Sequence, residues 1–390
     1  MKTMRLVPFL CVAVLLVGGG CEAAESPVQN DNFTPRTFRT EYENIRLSRV
    51  AGPFEHPWAV AFLPDGRKLV TERPGRLNLV DQDGGVTRVT GTPTVLAVGQ
   101  GGLLDVVIHP DYAQNGWIYL TYSKPNMIGQ TATALARGRL SEDNEFVDVE
   151  ELFEQDSYSM PGRHYGSRLA WMNDGTLLMT IGDRGRTPMR AQDTADHAGT
   201  LLRLNDDGSV PQDNPFVDDD DVLDEIYTYG HRNAQGLVVD PDTGDIWSTE
   251  HGPRGGDELN KHSPGKNYGW PIVTRGRDYG TEEPFPDAKA RRMEGIEPPV
   301  YEFLPTHPPS GLALVTADEF DAWKGNLLAG GLLSERIRRV VIEEDEVVHE
   351  EELLLKVIGR IRDVRQGPDG YIYVLNDHSD GALYVIQPND

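Results

Sequence analysis

The sequence predicts an all-β protein built from six repeated units, a six-bladed β-propeller. No stretch longer than about 12 residues shows sustained helical periodicity, which argues against a helical protein. The 390 residues include 41 glycines and 27 prolines, a frequency of turn residues that short strands require. One pattern also recurs along the chain: an apolar segment, a turn that usually contains Asp and Gly, and an alternating strand.

The repeats give the number of blades. In each repeat the Asp-Gly type dipeptide supplies the positive φ angles that a tight hairpin needs. The spacing is about 60 residues per repeat, enough for a four-stranded blade with an insertion. The repeats are found at Trp58, Leu103, Arg168, Gly236, Gly311 and Arg362. Unrelated hairpins in a β-sandwich are the alternative interpretation.

A strand-like segment before the first repeat predicts how the ring closes. Residues 42–50 (YENIRLSRV) are expected to complete the last blade. A ring closed in this way leaves no open sheet edge. Residues 38–390 are therefore expected to form one large propeller domain, since all-β domains of this length commonly remain single units.

The first 23 residues have the features of a secretory signal peptide. Two basic residues precede an apolar stretch that is too short to span a bilayer as a stable helix. Residues 18–21 (GGGC) resemble a bacterial lipoprotein box, which would make Cys21 a lipid anchor. Cleavage after Ala23 or Ala24 is the alternative. Both routes predict an exported protein, in the periplasm or at the cell surface.

Residues 24–37 are interpreted as a polar linker. Both cysteines, Cys11 and Cys21, precede this linker. An exported mature chain would therefore have no cysteine pair to oxidise, even in a compartment that permits disulfides. We expect its stability to come from packing.

The charge balance excludes one class of partner. Lys and Arg total 37 against 62 Asp and Glu, which gives a net charge of -25. A field of this sign repels nucleic acid and anionic membrane surfaces. We therefore expect no nucleic-acid partner.

Polar, glycine-rich loops at one end of the propeller channel are the expected place for function. His164 lies in such a loop (RHYGSRL), and a neutral imidazole is well suited to take a proton near pH 7. Arg232, Arg360 and Arg362 lie in others, and guanidinium groups bind carboxylates through two parallel hydrogen bonds. Residue type alone leaves two simpler alternatives open: a structural loop histidine and surface ion-pair arginines.

The loop EHGPRGGDELN (250–260) is unusual for a plain turn. Gly252 and Pro253 can present backbone carbonyls, while Asp257 and Glu258 supply carboxylate oxygens, and calcium binds such mixed oxygen ligands. His251 has no second His or Cys at metal spacing, which disfavours zinc. A turn and a calcium loop both fit these residues.

Long motifs in a fixed order carry a family resemblance. They are GQGGLLDVVIHPDY, TIGDRG, LRLNDDGSVPQDNPF, YGHRNAQG, EHGPRGGDELN, GKNYGWP and RIRDVRQGPDG. With these motifs the chain resembles the glucose/sorbosone dehydrogenase family, specifically the soluble aldose sugar dehydrogenases that depend on pyrroloquinoline quinone (PQQ). The resemblance runs from about Trp58 to Ile386.

The resemblance implies an activity and a set of site residues. The enzyme would oxidise the anomeric carbon of an aldose to a lactone, transfer hydride to PQQ and pass electrons to an external acceptor, as a monomer or homodimer. His164 would be the general base, and Asp183 would orient it. The cofactor-binding residues would be Gln100, Arg232, Asn233, His251, Arg360 and Arg362. One Ca²⁺ would bind the carbonyls of Gly252 and Pro253, and a second would lie near Asp257, Glu258 and Tyr268.

The sequence departs from the family pattern at three places. Leu333 stands where the family usually has a basic residue facing the quinone. Substitution by Arg336 or Arg338 of the same repeat and a low affinity for the quinone are the two alternatives. Tyr165, Gly166 and Ser167 follow His164 where paired glycines are more common, and Ala234 replaces a usual proline. Two other functions remain as alternatives: a calcium-dependent propeller lactonase and a non-catalytic carbohydrate-binding propeller.

Overall fold

The computed structural model describes residues 33–389, so the predicted signal peptide, Cys21 and most of the predicted linker lie outside the described residues. Within that range the chain forms six antiparallel sheets, and the predicted six-bladed propeller is confirmed. The first two strands belong to the last sheet. They are β1 (Arg36–Arg39) and β2 (Asn44–Phe54). β1 begins two residues before the domain boundary expected at residue 38.

The next three blades follow one another along the chain. Blade 1 contains β3 (Pro57–Phe62), β4 (Lys68–Glu72), β5 (Arg76–Val80) and β6 (Val86–Val89). Blade 2 contains β7 (Leu103–Ile108), β8 (Ile118–Pro125), β9 (Thr131–Leu140) and β10 (Phe146–Glu154). Blade 3 contains β11 (Leu169–Trp171), β12 (Leu177–Ile181), β13 (Thr200–Leu204) and β14 (Ile226–Tyr229).

The remaining blades complete the ring. Blade 4 contains β15 (Ala234–Val239), β16 (Ile246–Glu250), β17 (Glu258–His262) and β18 (Tyr301–Glu302). Blade 5 contains β19 (Pro309–Leu314), β20 (Leu327–Gly331), β21 (Arg336–Glu343) and β22 (Glu346–Leu353). Blade 6 contains β23 (Ile361–Gln366), β24 (Ile372–Asn376) and β25 (Gly381–Pro388), followed outward by β2 and β1.

Each repeat identified in the sequence coincides with the start of a blade. The first strand of every blade lies innermost, and neighbouring innermost strands contact each other around the ring, from β3 through β7, β11, β15, β19 and β23 back to β3. Middle strands such as β12 (LLMTI) are buried along their whole length, because other blades cover both faces of the sheet. The core therefore lies between blades.

The predicted closure is also present. β2 pairs antiparallel with β25, with Leu47 opposite Ile386. Ile45 and Leu47 are fully buried in an apolar cluster shared by blades 5 and 6. An early strand of the chain thereby completes the last blade and covers the edge of β25 that would otherwise be open.

Helical structure is limited to short connections in the described residues. They are α1 (Tyr112–Asn115) and two 3₁₀ turns, Pro188–Gln192 and Asp318–Trp323. None of the helices in residues 33–389 has the length and apolar character needed to cross a membrane. The long connection between β17 and β18, residues 263–300, folds over the end of the channel where blade-entry loops meet.

Candidate active site

The loops that lead into the innermost strands meet at one end of the central channel. They enclose a polar cavity whose wall includes five of the residues predicted from the sequence. These are Gln100, Asn233, His251, Arg360 and Arg362. They come from widely separated parts of the chain, so the ring of blades brings them together.

His164 lies beside this cavity and is held in one orientation. Its Nδ1 is 2.6 Å from Oδ1 of Asp183, and its backbone N–H donates to Oε1 of Gln100 at 2.7 Å. Its φ of 57° places the backbone in the left-handed region, which is uncommon for a residue other than glycine. Such a conformation persists only when the surroundings enforce it, and it is often found at functional sites.

Burial decides the protonation of His164. The residue is 6% exposed. Burial lowers the pKa of His164 below its ordinary value, and the nearby charge of Arg232 lowers it further, although Asp183 acts in the opposite direction. The imidazole is therefore neutral at pH 7, as a proton acceptor must be.

Asp183 is almost completely buried and fully hydrogen-bonded. Its Oδ1 also accepts from the backbone N–H of Gly185 at 2.7 Å, and its Oδ2 accepts from the indole Nε1 of Trp270 at 2.7 Å. Burial opposes its ionisation, but His164, Arg232 and Trp270 together hold the pKa of Asp183 below its ordinary value. Because the carboxylate is ionised, Nδ1 of His164 is the donor in their hydrogen bond, and Nε2 of His164 is the basic nitrogen.

The GHRN loop, residues 230–233, positions two further residues. Arg232 lies over the ring of Trp270 and donates to the backbone carbonyl of His251 at 3.2 Å and to the hydroxyl of Tyr279 at 3.3 Å. Asn233 is buried, and its Oδ1 accepts from the backbone N–H of Gly166 at 3.1 Å. This bond connects the loop of His164 to blade 4.

The two predicted arginines of blade 6 share one carboxylate. Arg362 donates to Oδ2 of Asp377 at 3.1 Å, and the more exposed Arg360 donates to the same oxygen at 3.2 Å. Burial opposes ionisation of Asp377, but the charge of Arg362 is foremost among the groups that hold its pKa well below the ordinary range. Arg362 also donates to Oε1 of Gln235 at 3.0 Å, while its Nε is buried without a hydrogen-bond partner.

His251 is in the cavity wall and is distinct from the His164–Asp183 pair. Burial, followed by the charges of Arg232 and His164, holds the pKa of His251 well below its ordinary value. Its Nε2 is buried without a hydrogen-bond partner. Buried polar atoms of this kind are rare, and a bound polar ligand is one way to satisfy them.

The loop from Glu250 to Asp257 folds tightly on itself. A Cβ atom on Gly252 would lie 2.1 Å from the carbonyl oxygen of Gly255 and 2.3 Å from that of Gly256, so only glycine fits there. The backbone N–H of Gly252 donates to Oδ1 of Asp257 at 3.0 Å. The carbonyl of Pro253 accepts from the backbone N–H of Arg277 at 2.6 Å, which connects this loop to the 263–300 connection.

Asp257 has a bracing role in this geometry. Its second oxygen, Oδ2, accepts from the backbone N–H of His307 at 2.9 Å, so both carboxylate oxygens hold backbone groups. Burial raises the pKa of Asp257 to about 6. The residue fixes the loop that carries Gly252 and Pro253.

Glu258 lies in a row of acidic residues across three strands of blade 4. Its register partners are Glu250 on β16 and Glu302 on β18. Burial and the nearby charge of Glu250 raise the pKa of Glu258 well above its ordinary value. The phenol of Tyr268 donates to the carbonyl of Lys261 at 2.7 Å, which leaves the backbone carbonyl of Tyr268 as its available ligand group.

Neither Leu333 nor its suggested substitutes form part of the cavity wall. Leu333 is 74% exposed, and its neighbour Leu332 lines the cavity instead. Arg336 and Arg338 pair with Glu352 and Glu350 on β22. Blade 5 therefore contributes no basic side chain to the cavity wall.

Three residues at the site were not predicted from the sequence. Asp377 holds the two arginines, Trp270 holds Asp183, and Arg73 lines the cavity from blade 1. Trp270 lies in the GKNYGWP motif, but only Tyr268 of that motif was predicted as a site residue. Asp377 and Arg73 lie in ordinary hairpin turns and carry no signal that one sequence could reveal. In residues 33–389 no cluster of three or more His, Cys, Asp or Glu side chains has the arrangement of a metal site.

Comparison with known proteins gives the chain its family. The family model for glucose / sorbosone dehydrogenase matches residues 54–385. The chain is 41% identical over 349 residues to aldose sugar dehydrogenase YliI of Escherichia coli, covering 89% of this chain and 94% of that protein.

Solved structures of sugar dehydrogenases have the same fold as this chain. The apo-form of the soluble aldose sugar dehydrogenase of Escherichia coli superposes with a TM-score of 0.85 at 40% identity, covering 88% of this chain and 100% of that one. The PQQ-bound form of aldose sugar dehydrogenase from Streptomyces coelicolor gives 0.72 at 26% identity, covering 88% and 98%. With the matched family model and these relatives, the chain belongs to the glucose/sorbosone dehydrogenase family.

Proposed function

We propose that the protein is an oxidoreductase that oxidises the anomeric carbon of aldose sugars to lactones, with PQQ as hydride acceptor and Ca²⁺ as a second cofactor. The observation that carries this proposal is the buried His164–Asp183 pair, placed beside a cavity lined by arginines. Membership of a family of sugar dehydrogenases, one with a PQQ-bound structure, supports it.

His164 is the group that would accept the proton. Its Nδ1–H donates to Asp183, so Nε2 keeps its lone pair for the anomeric hydroxyl of the sugar. Removal of that proton lets the C1 hydrogen leave as hydride while the C1–O bond becomes a carbonyl. Asp183 then stabilises the imidazolium that forms, as carboxylates do in other acid–base pairs.

The residues of the cavity fit a polyanionic cofactor. Arg362 and His251 each carry a buried nitrogen without a partner, and the arginines supply positive charge. Gln100, Arg232, Asn233, His251, Arg360 and Arg362 would hold PQQ, which when bound supplies the hydride-accepting carbon. The protein contributes position, charge and a base.

The loop of Gly252 and Pro253 fits a calcium ion. The carbonyls of Gly255 and Gly256 approach Gly252 closely, so the loop is compact, and Asp257 fixes it through the Gly252 amide. Carbonyl oxygens are suitable ligands for Ca²⁺, which would act there as a Lewis acid. Glu258 and the carbonyl of Tyr268 would serve a second ion, since Glu258 lies among like charges that a cation would neutralise.

The direct test is reconstitution. The purified mature chain is incubated with PQQ and Ca²⁺, and reduction of an artificial dye is followed with a panel of aldoses. We expect sugar-dependent reduction and a lactone product. A preparation that binds PQQ but hydrolyses lactones without reducing dye would support the lactonase alternative instead, and sugar binding without either reaction would support the non-catalytic one.

We also propose export, because residues 1–23 have the pattern of a signal peptide. An exported enzyme would deliver its electrons to an external acceptor. Cys21 is the candidate lipid anchor. Labelling of wild-type cells, but not of cells carrying Cys21→Ser, with a radioactive fatty acid would support lipidation; equal labelling of both would exclude Cys21.

A further inference from the structure

Arg73 brings a third guanidinium to the cavity of Arg360 and Arg362. It lies in the turn between β4 and β5 and forms part of the cavity wall. Its Nη1 donates to the backbone carbonyl of Gly99 at 2.8 Å, which directs the side chain toward the loop of Gln100. No motif of the sequence singles out this residue.

In the described part of the chain Arg73 forms no salt bridge, and its charge acts on Glu55 only from a longer distance. Arg360 and Arg362 share the single carboxylate of Asp377, at 3.2 Å and 3.1 Å. Within residues 33–389 no carboxylate lies within salt-bridge distance of Arg73, although most arginines of this acidic protein are paired. Three guanidiniums and one carboxylate leave the cavity with a positive charge.

Blade 5 does not supply a basic group to this cavity. Leu332 is the residue of that blade that lines it, and Leu333 points into solvent. Arg336 and Arg338 are paired with glutamates of their own blade. All the positive charge in the cavity wall therefore comes from blades 1 and 6.

We propose that Arg73 binds a carboxylate of the cofactor and supplies, from blade 1, the positive charge that blade 5 lacks. This inference rests on the proposed function, because it takes PQQ as the ligand. A guanidinium held by one hydrogen bond to Gly99 keeps other N–H groups free for a carboxylate.

The test measures binding and does not depend on turnover. The apoprotein is titrated with PQQ in the presence of Ca²⁺, and binding is followed by quenching of tryptophan fluorescence. Arg73→Gln removes the charge and keeps a polar side chain that can still donate hydrogen bonds. We expect its Kd for PQQ to rise about tenfold or more, as the loss of a charge-assisted hydrogen bond implies. Arg73→Lys should retain part of the affinity.

Two control variants make the result specific. Arg67→Gln removes an arginine of the same blade that pairs with Asp65 at 2.7 Å, in the turn at the opposite end, and should leave the Kd unchanged. Arg336→Gln tests the substitute within blade 5 and should also leave it unchanged.

The outcomes separate this inference from the proposed function. If wild-type protein binds PQQ and Arg73→Gln binds it equally well, the role of Arg73 is refuted while the proposed function stands. If Arg336→Gln weakens binding and Arg73→Gln does not, blade 5 supplies the charge. If the wild type does not bind PQQ at all, the proposed function itself fails.

Discussion

At the scale of single residues, the His164–Asp183 pair combines two opposing requirements. Burial keeps His164 neutral, as the proposed proton acceptor must be, while Asp183 stays ionised and would stabilise a positive charge on His164. Trp270 and the Gly185 amide hold Asp183 in place, so the orientation of His164 does not depend on the substrate.

Asp183→Asn should separate the orientation of His164 from the binding of PQQ. The amide keeps the size of the side chain but loses the charge that fixes the tautomer of His164. We expect kcat to fall by about 10²-fold or more, with little change in the Kd for PQQ. Steady-state kinetics and a fluorescence titration check this. A fall in PQQ affinity with unchanged kcat would show that Asp183 serves the cofactor and not the base.

The pH dependence of activity should follow the lowered pKa of His164. Only the neutral imidazole accepts a proton, so activity should be lost as the pH falls through the pKa of His164. Because burial lowers that pKa below 6.5, the acidic limb of kcat/KM should have its midpoint below pH 6.5. A pH profile of the reconstituted enzyme measures it. A midpoint above pH 7 would contradict the account.

At the scale of elements, the 250–257 loop is a tight turn that carries the proposed calcium ligands. Gly252→Ala would place a Cβ atom 2.1 Å from the Gly255 carbonyl oxygen, which forces the backbone to move. We expect a loss of about 1–3 kcal/mol of stability and a smaller rise in Tm on addition of Ca²⁺.

Gly280→Ala is the matched control for Gly252→Ala. A Cβ atom there meets only the flexible carboxylate of Asp278, at 3.3 Å. Its Tm should respond to Ca²⁺ like that of the wild type. Equal calcium responses of the two variants in a thermal unfolding titration would argue against an ion at the Gly252 loop.

The closing strand β2 should be essential for stability. Leu47 is fully buried between blades 5 and 6. Leu47→Ala should lower the free energy of unfolding by about 2–5 kcal/mol, because it leaves a cavity in the core. Arg46→Ala, on the exposed face of the same strand, should change it by less than about 0.5 kcal/mol. Denaturant unfolding compares them, and a Leu47→Ala effect as small as that of Arg46→Ala would mean that β2 does not hold the ring closed.

At the scale of the whole molecule, the sequence predicted the architecture better than the site. Repeats are local patterns, so each one could be placed on an innermost strand, and β2 could be assigned to the last blade. The site is assembled from residues that are distant in the sequence: Trp270 reaches Asp183 across 87 residues. Arg73 and Asp377 could be found only once the ring had brought blades 1 and 6 together.

The central claim is that His164 takes the anomeric proton as hydride leaves C1. The most direct measurement is an anaerobic single turnover of the PQQ- and Ca²⁺-loaded protein with an aldose and with the same aldose deuterated at C1. The account predicts rapid sugar-dependent reduction that deuterium at C1 slows. In His164→Ala with PQQ still bound, the rate should fall by about 10²-fold or more. An undiminished rate in His164→Ala, or no reduction by loaded wild-type protein, would contradict it.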